Sequence, residues 1–152
     1  MTTFTTRDVV DLRPPLENTL TTIDPQNMII ATDEVDTETL ALAMAEAAAE
    51  MKALGIRIID VRGLVSYADF LVVCHGTSTA HARAIADFIR EDLRPLKIRP
   101  RTTEGANYAE WVLLDFFDVV VHVFTEEARQ EYSIDGLFSD APRIPFDDGE
   151  ED

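Results

Sequence analysis

The sequence predicts an α/β fold in which helices flank a mixed five-stranded sheet. Two long segments, 37–53 and 79–93, carry apolar residues at helical spacing. Five shorter segments are rich in β-branched and aromatic residues, as is typical of strands. Along the chain the order is helix, strand, strand, helix, three strands and a short helix. This order predicts one sheet with helices packed on it.

Each element has local signals at its ends. Asp36 or Thr37 can cap the first helix, and Gly55 follows it as a stop signal. The segment Gly76-Thr77-Ser78 leads into the second helix. A third, short helix is expected over 125–132, with Thr125 as its cap. The expected strands are 56–61, 69–74, 98–103, 111–115 and 118–122.

The domain itself is predicted to span residues 35–142. Residues 1–34 are rich in Thr, Asp and Pro and show no periodicity, so a disordered extension is expected there. Residues 143–152 end in an acidic run and are expected to form a solvated, disordered tail.

The net charge of −16 is the strongest constraint from composition. Such a charge repels nucleic-acid phosphates and anionic lipids, so neither direct nucleic-acid binding nor membrane association is expected. The best basic stretch, Arg94–Arg101, is short and broken by proline, which favours a loop that balances nearby acids. An acidic surface fits a basic protein partner. One cysteine and no signal-like N-terminus indicate a reducing, cytoplasmic location.

The strongest local feature is the predicted hairpin that contains Trp111, the single tryptophan. If Phe116-Phe117 form a two-residue turn, Val112 and Leu114 face valines on the second strand and make one apolar face. The other face then pairs Trp111 with His122 and Leu113 with Val120, beside Asp115 and Asp118. Tryptophan is enriched at interface hot spots, so this mixed face is a candidate docking surface. Burial in the core is the alternative.

Other residues suggest chemistry only weakly. The amides of Gly76-Thr77-Ser78 could hold a phosphate, but a tight turn with a helix cap is the favoured explanation of the segment. Cys74, on an apolar strand, favours an inert buried thiol over a nucleophile. The three histidines lack the spacing of a zinc site, and no metal is expected. Several acids lie at strand ends, where capping and solvation compete with acid–base chemistry: Asp60, Asp69, Glu104, Asp115 and Asp118.

Two long motifs resemble one known family. The first runs from Asp60 to Asp87, and the second combines Glu104-Gly105, 110–115 and 118–124. A third group lies at 128–132, 137–138 and 140–142. Together they resemble the ribosomal silencing factor family, also called the Iojap family, and the resemblance covers about residues 37–142.

The resemblance implies a fold similar to nucleotidyltransferases, although the function it implies is not enzymatic. Family members bind the large ribosomal subunit through the ribosomal protein L-fourteen and block joining of the small subunit. They thereby repress translation, notably when nutrients are limiting. No catalysis, cofactor or metal is implied. The free protein could also form a homodimer. The implied contact residues are Trp111, Tyr108, Glu110, Leu113, Asp115 and His122.

Two departures leave alternatives open. The family has glycine at the position of Phe117, so the turn here could be longer and the pairing could slip. A nucleotidyltransferase would need an Asp-x-Asp pair on the strand after Ser78, and the expected strand 98–103 has no acid. An enzyme of that class and a generic dimeric adaptor are the rival hypotheses.

Overall fold

The computed structural model describes residues 36–147. Its helices are α1 (Thr37–Glu50), α2 (Thr79–Leu93), α3 (Glu126–Tyr132) and α4 (Ile134–Leu137), with a short 3-10 helix at Arg94–Leu96. Its strands are β1 (Leu54–Asp60), β2 (Phe70–Gly76), β3 (Thr102–Glu104), β4 (Trp111–Asp115), β5 (Val119–Thr125) and β6 (Arg143–Ile144). The predicted N-terminal extension, 1–34, lies outside the described residues, as do the last five residues of the predicted tail.

The six strands form one mixed sheet in the order β3-β4-β5-β2-β1-β6. The central pair, β2 and β5, runs parallel, and every other pair is antiparallel. The predicted α/β class is confirmed, but the predicted count of five strands is wrong by one. No helix within residues 36–147 is long and apolar enough to cross a membrane.

The additional strand lies where the sequence predicted the start of a disordered tail. Ile144 pairs with Ile58 and Arg143 with Ile59, while the Asp60 amide donates to the carbonyl of Pro142 at 2.8 Å. These bonds satisfy backbone groups on the outer edge of β1. A strand of two residues has no alternation for a pattern to detect, so the prediction of a tail from residue 143 is wrong for these residues.

The helices follow their predicted capping signals. The Asp36 carboxylate accepts a hydrogen bond from the Thr39 amide at 2.9 Å, and Ser78 accepts one from the His81 amide at 3.0 Å. The α2 helix spans the predicted residues. The α1 helix ends at Glu50 rather than Ala53, because Lys52 adopts a left-handed conformation with φ 63° before Gly55. This early stop lets β1 begin at Leu54.

Each face of the sheet has its own core. On one face, α1 and α2 pack over β-strand residues that include Phe70, Val72 and Leu114. On the other, α3 and the C-terminal segment cover β1, β2 and β5 through residues such as Leu71, Phe124 and Ala128. Trp111 and Leu113 belong to this second face but are only partly covered. The second face is therefore open toward the β3–β4 edge.

The hairpin confirms the predicted faces but corrects the predicted register. Trp111 pairs with Phe124, and Leu113 pairs with His122, two residues further along β5 than expected. The reversal is centred on Phe117 and Asp118, with the Phe116 amide donating to the Val119 carbonyl at 2.9 Å. Phe117 takes the positive φ of 76° on which the turn depends. A shift of two residues preserves side-chain parity, so both faces keep their predicted members.

Candidate protein-binding surface

Trp111 lies at the start of β4, half-buried on the open part of the second sheet face. Its indole and the side chain of Leu113 line a shallow hollow, together with Glu104 and Gly105 of the neighbouring edge. We call these four residues the Trp111 face. A large apolar surface that stays partly uncovered beside an acid is typical of a protein-docking site.

A hydrogen bond fixes the orientation of the indole. Trp111 Nε1–H donates to Nδ1 of His122 at 3.0 Å. Because the indole only donates, Nδ1 must be unprotonated, and the ring is the neutral tautomer with its proton on Nε2. His122 is 6% exposed, and burial lowers its pKa from 6.5 to about 4, against a smaller opposing effect from Asp135. The buried His122 ring therefore fixes the position of the Trp111 indole.

Two further aromatic rings hold the indole from the side. The centroid of Trp111 lies 5.1 Å from that of Phe124 and 4.6 Å from that of Tyr132, both at tilted angles. Such contacts add stability beyond the area they bury. Tyr132, the last residue of α3, is 51% exposed. It extends the apolar surface beyond the sheet, and sequence reasoning did not place it at the site.

The loop before β4 is fastened to the fold at several points. Arg83 of α2 donates to the carbonyls of Ala106 and Asn107, at 3.1 and 2.7 Å. Gly105 has φ +81°, and a Cβ there would clash with the Trp111 carbonyl oxygen. A rigid loop of this kind loses little conformational entropy when a partner binds.

Tyr108, at the tip of this loop, is 84% exposed. Its exposure is consistent with a role in partner contact. Glu110, the residue before the indole, is also exposed. Glu104 lines the hollow and Glu110 adjoins Trp111 in the chain, so both carboxylates lie near the apolar centre of the Trp111 face and would attract a basic partner.

Asp115 and His122 hold positions that favour support over direct contact. Asp115 accepts hydrogen bonds from Arg101 at 2.6 Å and from the Phe117 amide at 2.8 Å. It thereby stabilises the turn at the far end of β4 from Trp111. His122 is buried behind the indole. Of the predicted contact residues, Tyr108 and Glu110 are exposed, Trp111, Leu113 and Asp115 are partly exposed, and only His122 is buried.

The Gly76-Thr77-Ser78 segment is a turn and a helix cap. The Thr77 amide donates to Nδ1 of His81 at 2.9 Å, so His81 occupies the donor that a phosphate would use. The opposite ring nitrogen of His81 then carries the proton and donates to the Met51 carbonyl at 2.8 Å. The ring joins the start of α2 to the end of α1.

The remaining candidate groups are also committed to the fold. Cys74 is fully buried in the sheet, and burial raises the pKa of its thiol to about 12. The strand after α2 contains Glu104, contrary to the expectation of no acid, yet this single exposed carboxylate lies at the sheet edge, three strands from β2. Within residues 36–147, no three His, Cys, Asp or Glu residues are grouped to hold a metal ion.

Comparisons with known proteins identify the family of this fold. The family model described as "Ribosomal silencing factor during starvation" matches residues 34–152. The chain is 37% identical over 105 residues to the ribosomal silencing factor RsfS of Bacillus subtilis, covering 69% of this chain and 89% of the relative. It is 33% identical to the chloroplastic protein Iojap of Zea mays over 125 residues, which are 81% of this chain and 54% of the relative.

A more distant relative and a solved structure agree with these matches. The relative is the mouse protein named "Mitochondrial assembly of ribosomal large subunit protein 1", 30% identical over 55% of this chain and 38% of its own length. The solved structure is a crystal structure of a protein from Chromobacterium violaceum. It has a TM-score of 0.64 and 31% identity, covering 72% of this chain and 89% of that one. The chain therefore belongs to the ribosomal silencing factor family, RsfS or Iojap.

Proposed function

We propose that this protein is a cytoplasmic repressor of translation that binds the large ribosomal subunit through the ribosomal protein L-fourteen. Occupying that surface blocks association with the small subunit by steric exclusion. Membership in the ribosomal silencing factor family supports the proposal, and the starvation in the family description supports nutrient limitation as the condition. The name of the mouse relative connects that protein to the large subunit.

The Trp111 face is the observation that carries the proposal. Its apolar centre is preorganised by the Trp111–His122 hydrogen bond and by contact with Tyr132. Its rim carries Glu104, Glu110 adjoins Trp111 in the chain, and the whole protein carries a charge of −16. An aromatic centre with an acidic rim fits a basic protein, and most ribosomal proteins must be basic to pack against RNA.

The proposed mechanism involves no bond making or breaking. The groups that an enzyme would use are engaged elsewhere, since Ser78 caps α2, Thr77 donates to His81 and Cys74 is a buried thiol. A steric repressor needs only a rigid surface with sufficient affinity. The described residues supply that surface in the Trp111 face.

Co-sedimentation with separated ribosomal subunits tests the proposal. We expect the wild-type protein to pellet with large subunits only, and Trp111→Ala to lose roughly 2 kcal/mol, about 30-fold in affinity, as is typical of a central hot spot. Leu64→Ala is the control, because it truncates a large apolar side chain, 57% exposed, on the loop between β1 and β2. Equal binding by all three proteins would refute the assigned surface.

Two further measurements separate the parts of the proposal. Light scattering of mixed subunits should show that the wild-type protein slows their joining. The Trp111→Ala variant should slow it much less. A pull-down with isolated ribosomal protein L-fourteen tests the named partner. Because Trp111→Ala could disturb packing, Tyr108→Ala provides a second variant at a residue that is 84% exposed. Subunit binding without any L-fourteen binding would preserve the general function and overturn the partner.

The same face favours self-association of the free protein. Trp111, Leu113 and Tyr132 form a contiguous apolar surface that water would otherwise cover. We propose that a weak homodimer competes with ribosome binding at this surface. Sedimentation velocity at rising concentration should show dimers for the wild type and mainly monomers for Trp111→Ala. Dimers that persist in the variant would place the self-association elsewhere.

A further inference from the structure

A second surface hollow lies beside the edge strand β3, and its charge is opposite to that of the Trp111 face. It is lined by Arg90 and Arg94 of α2 and the 3-10 turn after it, by Arg99 and Pro100 of the following loop, and by Thr103 of β3. We call it the arginine hollow. Three arginines share this one concave site in a protein whose net charge is −16.

The surrounding segment is locally basic. Residues 90–101 contain five of the 13 basic residues and two of the 29 acidic ones, which gives this stretch a charge of +3. The rest of the chain is correspondingly more acidic, at −19. The sequence suggested that these arginines balance nearby acids, and for two of them the structure shows a partner one helical turn away. Arg90 pairs with Asp87 at 3.3 Å, and Arg94 pairs with Glu91 at 3.1 Å.

These pairs are weak enough to be replaced by a ligand. Both join exposed side chains at i and i+3 on α2 and the 3-10 turn that follows it, with the Arg94 side chain 57% exposed. Exposed pairs of this kind contribute little to stability and are screened by salt. A ligand oxyanion held by several guanidinium groups would exchange for them at little cost.

The neighbouring Arg101 differs from Arg99, because its side chain is bound within the fold. Its guanidinium is bound to Asp115 at 2.6 Å and lies over the ring of Phe117 at 4.6 Å. Arg99 has no such anchor among residues 36–147, and it faces the hollow. The loop that carries Arg99 is fixed by the 3-10 turn at Arg94–Leu96, where the Lys97 amide donates to the Arg94 carbonyl at 2.8 Å.

The position of the hollow relative to the Trp111 face points to its ligand. Thr103 lines the arginine hollow, and the next two residues, Glu104 and Gly105, line the Trp111 face. The two sites are thus joined through one edge strand. They open on opposite faces of the sheet, since Thr103 pairs with Leu114 and Glu104 with Leu113. β3 is exposed and forms the edge of the sheet, so a partner as large as a ribosomal subunit that docks on the Trp111 face can reach the hollow around this edge.

We infer that the arginine hollow binds the phosphate backbone of large-subunit RNA beside the protein partner. The inference rests on the proposed function. A basic ribosomal protein would be repelled by this hollow, whereas RNA, the other component of the subunit, presents phosphates that match the arginine fork. The expectation of no nucleic-acid contact followed from the net charge of the whole chain, and this inference departs from it at the hollow alone.

A salt titration of large-subunit binding tests the inference. Arg94→Gln with Arg99→Gln should lower affinity at low salt about tenfold or more. It should also reduce the slope of log affinity against log salt by roughly 0.7 to 0.9 for each phosphate that the variant no longer neutralises. Lys52→Gln with Arg57→Gln is the control, because it removes the same charge at exposed residues near β1, across the sheet from β3. Identical slopes for the two double variants would overturn the inference.

Isolated ribosomal protein L-fourteen separates this inference from the proposed function. The arginine variant should bind that protein as well as the wild type does, while Trp111→Ala should not. If the arginine variant also fails on the isolated protein, the hollow contacts protein and the RNA assignment is wrong. If the wild type binds neither the subunit nor the isolated protein, the proposed function itself fails.

Cross-linking identifies the component that lies at the hollow. The chain has one cysteine, so Cys74→Ala with Arg99→Cys carries a single thiol for a benzophenone label. Illumination of its complex with large subunits should attach the label to RNA. Attachment only to protein would contradict the inference. Cys74→Ala with Lys52→Cys is the matched control, and it should yield much less RNA adduct.

Discussion

The indole of Trp111 donates its hydrogen to Nδ1 of His122 across 3.0 Å, and so joins the surface proposed for partner binding to a buried imidazole. The bond exists only while His122 is neutral, since a protonated Nδ1 would present a second donor to the indole. Burial lowers the pKa of His122 to about 4, which keeps the ring neutral at physiological pH. The geometry of the face is thereby insensitive to pH in the range where a ribosome works.

At lower pH, stability should fall because of this histidine. Between pH 6.5 and about 4 the unfolded chain binds a proton at His122 that the folded chain does not, so the free energy of unfolding decreases as pH falls. The loss should reach about 2 kcal/mol at pH 5 relative to pH 8. Urea denaturation at the two pH values measures it.

His122→Gln isolates the contribution of this one group. Glutamine keeps an acceptor for the indole and does not titrate. Other groups, such as Asp135, also make the fold less stable in acid. The informative quantity is therefore the difference between the wild type and the variant in how the free energy of unfolding changes with pH. A pH dependence of the same size in both proteins would show that His122 is not its cause.

The faces of the hairpin could be predicted from sequence because side-chain alternation is insensitive to a slip of two residues. The register could not, because it depends on which residue adopts a positive φ. Phe117 adopts the positive φ, although a glycine would be the usual sequence signal for it. A contact of 4.6 Å between the Arg101 guanidinium and the Phe117 ring helps to stabilise this conformation. Of the aromatic neighbours of Trp111, one could be predicted from sequence and the other could not. Phe124 follows from parity with His122, whereas Tyr132 reaches the indole only through the packing of α3.

Gly105 should be intolerant of any side chain. In Gly105→Ala the new Cβ would meet the Trp111 carbonyl, and the residue would also keep a φ of +81°. We expect a loss of about 3 kcal/mol in the free energy of unfolding, measured by urea denaturation. Gly63→Ala is a close control, since Gly63 has φ +83° and no atom of the described residues lies within 4 Å of where its Cβ would be. The control should lose only the backbone strain, about 1 kcal/mol, and equal losses would mean that the close approach to Trp111 is unimportant.

Arg129 should be a further point of high sensitivity. Its guanidinium binds both carboxylate oxygens of Asp135, at 2.9 and 3.2 Å, and also contacts Nδ1 of His75 at 2.9 Å. The side chain is 11% exposed. Arg129→Gln should cost about 2 to 3 kcal/mol, because it leaves Asp135 without its cation in a partly buried site.

The exposed ion pair between Arg62 and Asp60 provides the comparison for Arg129. The Arg62 side chain is 55% exposed, so water and salt screen its interaction with Asp60. Arg62→Gln should therefore cost much less in thermal unfolding than Arg129→Gln. Equal shifts in melting temperature would contradict the view that burial, rather than the presence of an ion pair, determines the effect.

Reversing the charge next to Trp111 in the chain tests the electrostatic part of the proposed interaction. Glu110 is exposed beside Trp111, and its side chain is not used in the described fold, although its carbonyl accepts from the Thr125 amide. Glu110→Lys should weaken large-subunit binding roughly three- to tenfold at low salt, mainly through the association rate, and the difference should shrink as salt is added. Stopped-flow or surface-based kinetics would measure both quantities.

Glu50→Lys is the control, because it makes the same change in net charge at the end of α1, which packs on the opposite face of the sheet. If both reversals slow association equally, the net charge of −16 attracts the partner; if Glu110→Lys alone does so, the local charge beside Trp111 attracts it.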